Sequence, residues 1–167
     1  MSQLYKTIGL IGKPNHDGAS ATITTLYNYL IENNYQVIVE RSVSKSLEID
    51  DIAIHSLTEI GELADIAIVV GGDGYMLGAA RVLSGYKIGV IGVNRGNLGF
   101  LTDLSPQDII EPLEAILNGE SRSEQRFIIE AEVYRHGKLK SANSAVNEAV
   151  LHAGKVANMI EFEVYID

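Results

Sequence analysis

The chain contains no cysteine, so disulfides and thiolate metal sites drop out of consideration. It is short of positive charge: 13 Lys and Arg face 22 Asp and Glu, for a formal net charge of −9. Proteins that bind nucleic acid carry a basic footprint, so no nucleic-acid partner is expected. A nucleotide remains compatible, because a few backbone N–H groups and one metal ion can hold phosphates on an acidic protein. Long apolar runs are missing too. No window reaches the length that spans a bilayer, and the apolar core of the opening MSQLYKTIGLIGKP is too short for a signal peptide. The expectation is a soluble, cytoplasmic protein with no membrane partner. Standard phosphate motifs are also absent. G-x-x-x-x-G-K-S/T does not occur, since Gly12-Lys13 is followed by Pro14 and Gly154-Lys155 by Val156. Gly72-x-Gly74-x-x-x-Gly78 misses the dinucleotide fingerprint by one residue and carries an acid in its first gap.

What is present is a chain of 167 residues, 46% apolar, enough for one domain or for one domain and part of another. TIGLIG (7–12), YQVIVE (35–40), DIAIVV (65–70) and KIGVIGV (87–93) are short apolar runs and predict buried strands. Between the first two, Ile23, Leu26, Tyr27, Leu30 and Ile31 recur at helical spacing over 19–33, with Asn33-Asn34 as the stop. Residues 57–63 suit one or two helical turns and 75–84 suit a helix, whereas 42–55 is polar and poorly patterned. The clearest helix is predicted over 105–119. Ser105 serves as its N-cap, Pro106 takes its first position, Ile109, Leu113, Ile116 and Leu117 form its buried stripe, and Asn118-Gly119 ends it. Strands alternating with helices imply βαβ units: an open, mostly parallel sheet with helices on both faces.

After residue 121 the period changes. RFIIEAEVYR (126–135) alternates apolar and acidic positions, HG (136–137) suits a hairpin turn, and MIEFEVYID (159–167) alternates more strictly. Period two marks half-buried antiparallel strands. The expected organisation is an α/β domain over 1–121 and the first strands of an all-β domain over 122–167. So few strands make a barely viable sheet, and the alternation still runs at Asp167. The β region is therefore expected to be completed by further chain or by a partner.

Three stretches can carry chemistry. VVGGDGYMLG (69–78) sets Asp73 among glycines directly after a buried strand, at the sheet edge where open α/β folds bind ligands. Gly71 and Gly72 permit φ > 0 and remove Cβ atoms that would block close approach. A carboxylate beside phosphates either accepts a proton from a nucleophilic hydroxyl or helps to hold Mg²⁺; otherwise Asp73 caps the next helix. NRGNLGFLTDL (94–104) opens at the same edge. It offers Arg95 to a phosphate and Phe100 and Leu101 as an apolar wall, or else it is a rigid loop anchored by Phe100. VNEAVLH (146–152) places Asn147-Glu148 on a β stretch, where Glu is unusual. Asn can read an adenine edge and a carboxylate can accept from ribose hydroxyls; the other possibility is a solvated strand end.

Together and in this order, GGDG (71–74), NRGNLGFLTDL (94–104) and NEAVLH (147–152) resemble the motifs of the NAD kinase family, and KVANMIEFEVYID (155–167) is similar to the family's segment after the Asn-Glu pair. The resemblance covers essentially the whole chain and is nearest to bacterial enzymes. It implies an N-terminal α/β domain followed by a β-sandwich. It also implies transfer of the γ-phosphoryl of ATP, or in some members of polyphosphate, to the 2′-hydroxyl of the adenosine ribose of NAD, with a divalent metal and an active homo-oligomer. Asp73 is then the proton acceptor. Gly71, Gly72, Gly74 and Phe100 line the dinucleotide, and Asn147 and Glu148 bind its adenosine. Asn158, at a place where close relatives can have His, is a further NAD contact. Two positions depart from the family pattern: Tyr75 stands where Thr or Asn is common, a phenol able to crowd the phosphate or stack on a base, and Gly78 stands where many members are basic. GGDG alone is shared with lipid kinases and phosphofructokinases. A GGDG-type lipid kinase and a non-catalytic nucleotide-binding fragment are therefore the competing possibilities, although the first gives no reason for Asn147-Glu148.

Overall fold

The computed structural model describes residues 3–12, 17–44, 47, 52–95, 101, 102, 104–152, 159 and 161–166. Strands Thr7–Gly12 (β1), Gln36–Glu40 (β2), Ile54–His55 (β3), Ile66–Gly71 (β4) and Gly89–Asn94 (β5) form one parallel sheet in the order β3-β2-β1-β4-β5. Helices Asp17–Glu32 (α1), Arg41–Ser44 (α2), Leu57–Leu63 (α3), Asp73–Leu83 (α4) and Ile110–Leu117 (α5) accompany it. Strands Ile129–Arg135 (β6) and Lys138–Ala145 (β7) pair separately as an antiparallel hairpin.

The apolar runs are continuous because the strands are buried on both faces. On one face Ile8, Leu10, Ile66, Ile68 and Val70 meet Ile23, Leu26 and Leu30 of α1 and Leu113 and Leu117 of α5. On the other, Ile11, Ala67 and Val69 meet Ile60 of α3 and Ala79 and Leu83 of α4. Helices thus cover both faces, as expected. Of the predicted α1 stripe, Ile23, Leu26 and Leu30 are buried, Tyr27 is half-buried, and Ile31 turns away from the sheet and is exposed. The helix ends as predicted: Asn34 takes φ +63° and the Tyr35 N–H returns to the Leu30 carbonyl at 2.9 Å.

Strand order fixes where a ligand can enter. The chain lays β2 and β3 on one side of β1, then returns to lay β4 on the other. The two directions part at the carboxyl ends of β1 and β4, which creates the crevice typical of ligand sites in open α/β sheets.

The polar, poorly patterned stretch 42–55 contributes the end of α2 and the edge strand β3. Three expectations need correction. Helix α5 starts at Ile110, with Ile109 and not Ser105 at its N-cap. The physical reason is Leu104, which still forms a parallel bridge to Val93, with Asn94 N–H to Leu104 O at 2.9 Å. The chain is therefore extended just before Ser105, whose hydroxyl bonds locally to Gln107. Residues 159 and 161–166 are exposed and form no strand, because alternation supplies two faces but no described strand pairs with them. Finally, β6 begins at Ile129, three residues later than the alternation. His136-Gly137 does make the turn, both with positive φ.

Candidate active site

Strand β4 delivers Gly71, Gly72 and Asp73 to the crevice. Gly72 is the N-cap of α4 at φ −93°, with no side-chain cap, and Asp73 is the first helical residue. Neither Gly71 nor Gly72 uses positive φ, which among the described glycines occurs only at Gly119 and Gly137. The freedom of φ > 0 at these two positions is therefore not used. Gly71 is small because a Cβ there would lie 2.9 Å from the Tyr75 Cβ. A Cβ on Gly72, Gly74 or Gly78 would meet none of the described residues within 4 Å. The fold itself does not demand glycine at 72 and 74; those two positions open onto space at the mouth of the crevice.

Asp73 does not cap α4. Its Oδ1 accepts the Leu101 N–H at 3.2 Å, so the carboxylate is tied to the segment that follows β5. That segment is pressed on the sheet: a Cβ on Gly92 would sit 2.7 Å from the Leu101 carbonyl oxygen and 3.0 Å from the Thr102 Cα. At the same edge the Arg95 N–H donates to the Gly71 carbonyl at 2.9 Å, which locks the end of β5 to the GGDG turn. The Arg95 Nε–H donates to Thr22 Oγ1 on α1 at 2.7 Å, and Thr22 donates to the Gly18 carbonyl at 3.1 Å.

Tyr75 is half-buried and packs against the core on the α3 and α4 face of the sheet. Its hydroxyl meets Ser42 Oγ at 3.1 Å, and Ser42 also bonds to the Glu40 carboxylate and to the Gly12 carbonyl. Burial pushes the Tyr75 phenol above its usual range, the Ser42 bond works against this, and the Glu40 charge adds to it. The tyrosine thus joins the start of α4 to the ends of β1 and β2. Glu40, Ser42 and Thr22 escaped the sequence reading, since an acid or hydroxyl at a strand or helix end has many local uses and no spacing singles these out.

Asn147 lies in the bend just beyond β7 and Glu148 directly after it, both exposed and not on a strand as expected; β7 ends at Ala145, which pairs with Ile129. The hairpin leans on the site helix through Arg81 Nη1 to Asn143 Oδ1 at 3.1 Å. Phe100 and Asn158 lie outside the described residues. Among the described residues no group of three or more His, Asp or Glu side chains is placed to hold a metal, and no helix is long and apolar enough to cross a membrane.

Comparison with known proteins follows the same lines. The chain is 78% identical to the NAD kinase of Colwellia psychrerythraea and 62% identical to that of Aeromonas salmonicida, over all of its length and 57% of theirs. It thus spans little more than half the length of the curated relatives it matches. Its fold matches the crystal structure of yeast NADH kinase complexed with NADH at TM-score 0.73, with 16% identity, over 88% of this chain and 48% of that one. Residues 8–121 match the family described as the ATP-NAD kinase N-terminal domain, and the chain belongs to that family.

Proposed function

We propose that this chain is part of an NAD kinase that transfers the γ-phosphoryl of ATP to the 2′-hydroxyl of the adenosine ribose of NAD, yielding NADP and ADP. The observation that carries the proposal is Asp73: an acid at the strand-order switch, in the first turn of a helix, flanked by two glycines whose Cβ positions are open. In the transfer, a bond forms between the ribose 2′-oxygen and the γ-phosphorus. The bond from that phosphorus to the β–γ bridging oxygen breaks, and the hydroxyl proton passes to the Asp73 carboxylate. The Leu101 N–H holds one carboxylate oxygen in place, so the base is oriented before substrate arrives.

Gly71, Gly72 and Gly74 let the dinucleotide approach the backbone, and Phe100 walls it. Asn147 and Glu148, with Asn158, hold the adenosine from the β region, which is read as a second domain beginning at residue 122. A divalent ion such as Mg²⁺ would neutralise the donor phosphates. It commonly takes one or two carboxylates beside phosphate oxygens and waters; Asp73, given to the proton, is not counted among them. The active form is read as a homo-oligomer.

The test is Asp73→Asn in the full-length gene product. Asn caps and packs almost as Asp does, but its amide is too weak a base. Steady-state turnover should fall about 10²-fold or more, while direct NAD binding and the melting curve stay close to wild type. Near-normal turnover would leave Asp73 as a mere tether for Leu101.

A further inference from the structure

Arg95 is fixed in an unusual way. Its backbone N–H is bound to Gly71, next to the GGDG turn, and its side chain crosses to α1, the helix after β1. It therefore spans the two elements whose strands flank the crevice. Its partner there is a neutral hydroxyl, Thr22 Oγ1, only 2% exposed. That contact occupies Nε–H, one of five donors on a guanidinium. Among the described residues the only ion pair joins Arg126 to Glu124 at 3.2 Å. On a chain with 22 acids, a half-buried arginine at the ligand edge has none of the described carboxylates as its partner. Removing a guanidinium from water without an anion is unfavourable, and a planar fork matches phosphate oxygens two at a time.

We propose that Arg95, pinned through Nε by Thr22, is a phosphate-binding residue that clamps a phosphoanhydride chain in the crevice beside Asp73. Thr22 is a positioning residue: it accepts from Nε and turns the two Nη groups to the ligand. The first turns of α1 and α4 flank the same edge and favour negative charge there. The identity of the ligand rests on the function proposed above, and its chemistry is shared by the donor's triphosphate and the diphosphate of NAD.

The probe is inorganic tripolyphosphate, titrated calorimetrically into the full-length gene product. Arg95→Ala should weaken its binding about 10- to 100-fold, the range for a charge-assisted pair. Arg95→Lys, a point charge without the fork, should fall between. Thr22→Val keeps the shape and removes the acceptor, and should weaken binding less than Arg95→Ala. If Arg95→Ala fails to fold, Arg95→Gln, which can still donate to Thr22, carries the same test. Kinetics identify the source: a raised KM for ATP assigns the clamp to the donor, a raised KM for NAD to the acceptor. Tripolyphosphate that fails to bind wild type, or binds Arg95→Ala unchanged while the melting temperature drops, reduces Arg95 to a strap between α1 and β5. If wild type makes no NADP yet tripolyphosphate binding still depends on Arg95, the proposed reaction fails and the clamp stands.

Discussion

The two regions of this chain meet water in opposite ways. From Thr7 to Leu117 nearly every apolar strand residue is covered on both faces of the sheet, and the polar groups collect at its carboxyl edge. After Leu117 none of the described residues is buried, and Phe127, Val133, Leu139, Val150, Phe162 and Ile166 are exposed. The first region generates its site from topology: strand order places Asp73, Gly12 and Arg95 at one edge whatever the hairpin does. The second carries its candidate residues, Asn147 and Glu148, on the exit of a two-stranded ribbon held to α4 by the Arg81–Asn143 bond. Two-stranded ribbons are marginal by themselves. The acid proposed to take the proton stands on the buried part, and the residues proposed to hold the adenosine stand on the part with the least burial.

The largest expected effect tests that contrast directly. Ile68 sits at the centre of β4 at 0% exposure, and Ile68→Ala should cost about 2–5 kcal/mol. Val133 on β6 is 49% exposed, and Val133→Ala should cost under about 1 kcal/mol. Urea unfolding of both variants checks the difference. Equal losses would mean that the hairpin packs as part of the α/β core.

A medium effect lies at Gly92. An added Cβ would press on the Leu101 carbonyl and the Thr102 Cα, backbone atoms that cannot swing aside. Gly92→Ala should therefore push the segment after β5 off the sheet, at about 1–3 kcal/mol, and loosen the Leu101 N–H from Asp73. Turnover should drop along with the melting temperature. A lower melting temperature with unchanged turnover would separate the Leu101 tether from the work of Asp73.

Most of the first region was legible in the sequence, because burial on two faces leaves continuous apolar runs that end at Gly, Asn or Pro. The limits of β1, α3 and the end of α5 follow from such signals. Ser56 and Glu59 even spell the capping box that starts α3. The errors share one cause. Ser105-Pro106 looks like a helix start by local chemistry, and a long-range bridge from Leu104 to Val93 overrules it. Of the strand expected over 159–167, the described residues 159 and 161–166 form none, since alternation fixes faces and only a neighbour makes a strand. At the site, Asp73 and its glycines were visible as a motif. The partners of Arg95 and Tyr75 were not: Thr22 lies 73 positions from Arg95 and Ser42 lies 33 from Tyr75, and only the fold brings them together.

The smallest effect separates the regions by pH. Asp65, just before β4, accepts the Lys6 and Thr7 N–H groups through Oδ2 at 2.7 and 2.9 Å. These two bonds, Thr7 first, hold its carboxyl below the usual range, with a small opposing push from desolvation and help from the Lys6 charge. A carboxyl depressed by folding stabilises the fold fully above its unfolded value, about 3.9, and loses that contribution as pH falls through its folded value. The hairpin's own pair works at the other end of the scale. Tyr134 donates to Glu132 at 2.8 Å, and that bond raises the phenol, so its contribution is present below the ordinary tyrosine range and lost as pH rises through the folded value. Asp65 is exposed, so Asp65→Asn should cost no more than about 1 kcal/mol at neutral pH. It should also flatten the acid side of the stability profile below about pH 4, leaving the alkaline side as it was. Tyr134→Phe should do the reverse. Melting temperatures of both variants from pH 3 to 11 make the comparison. One shared transition shifted by both variants, each on its own side of the profile, would show that the two regions unfold as one cooperative unit; two transitions, each moved by one variant alone, would show that they unfold separately.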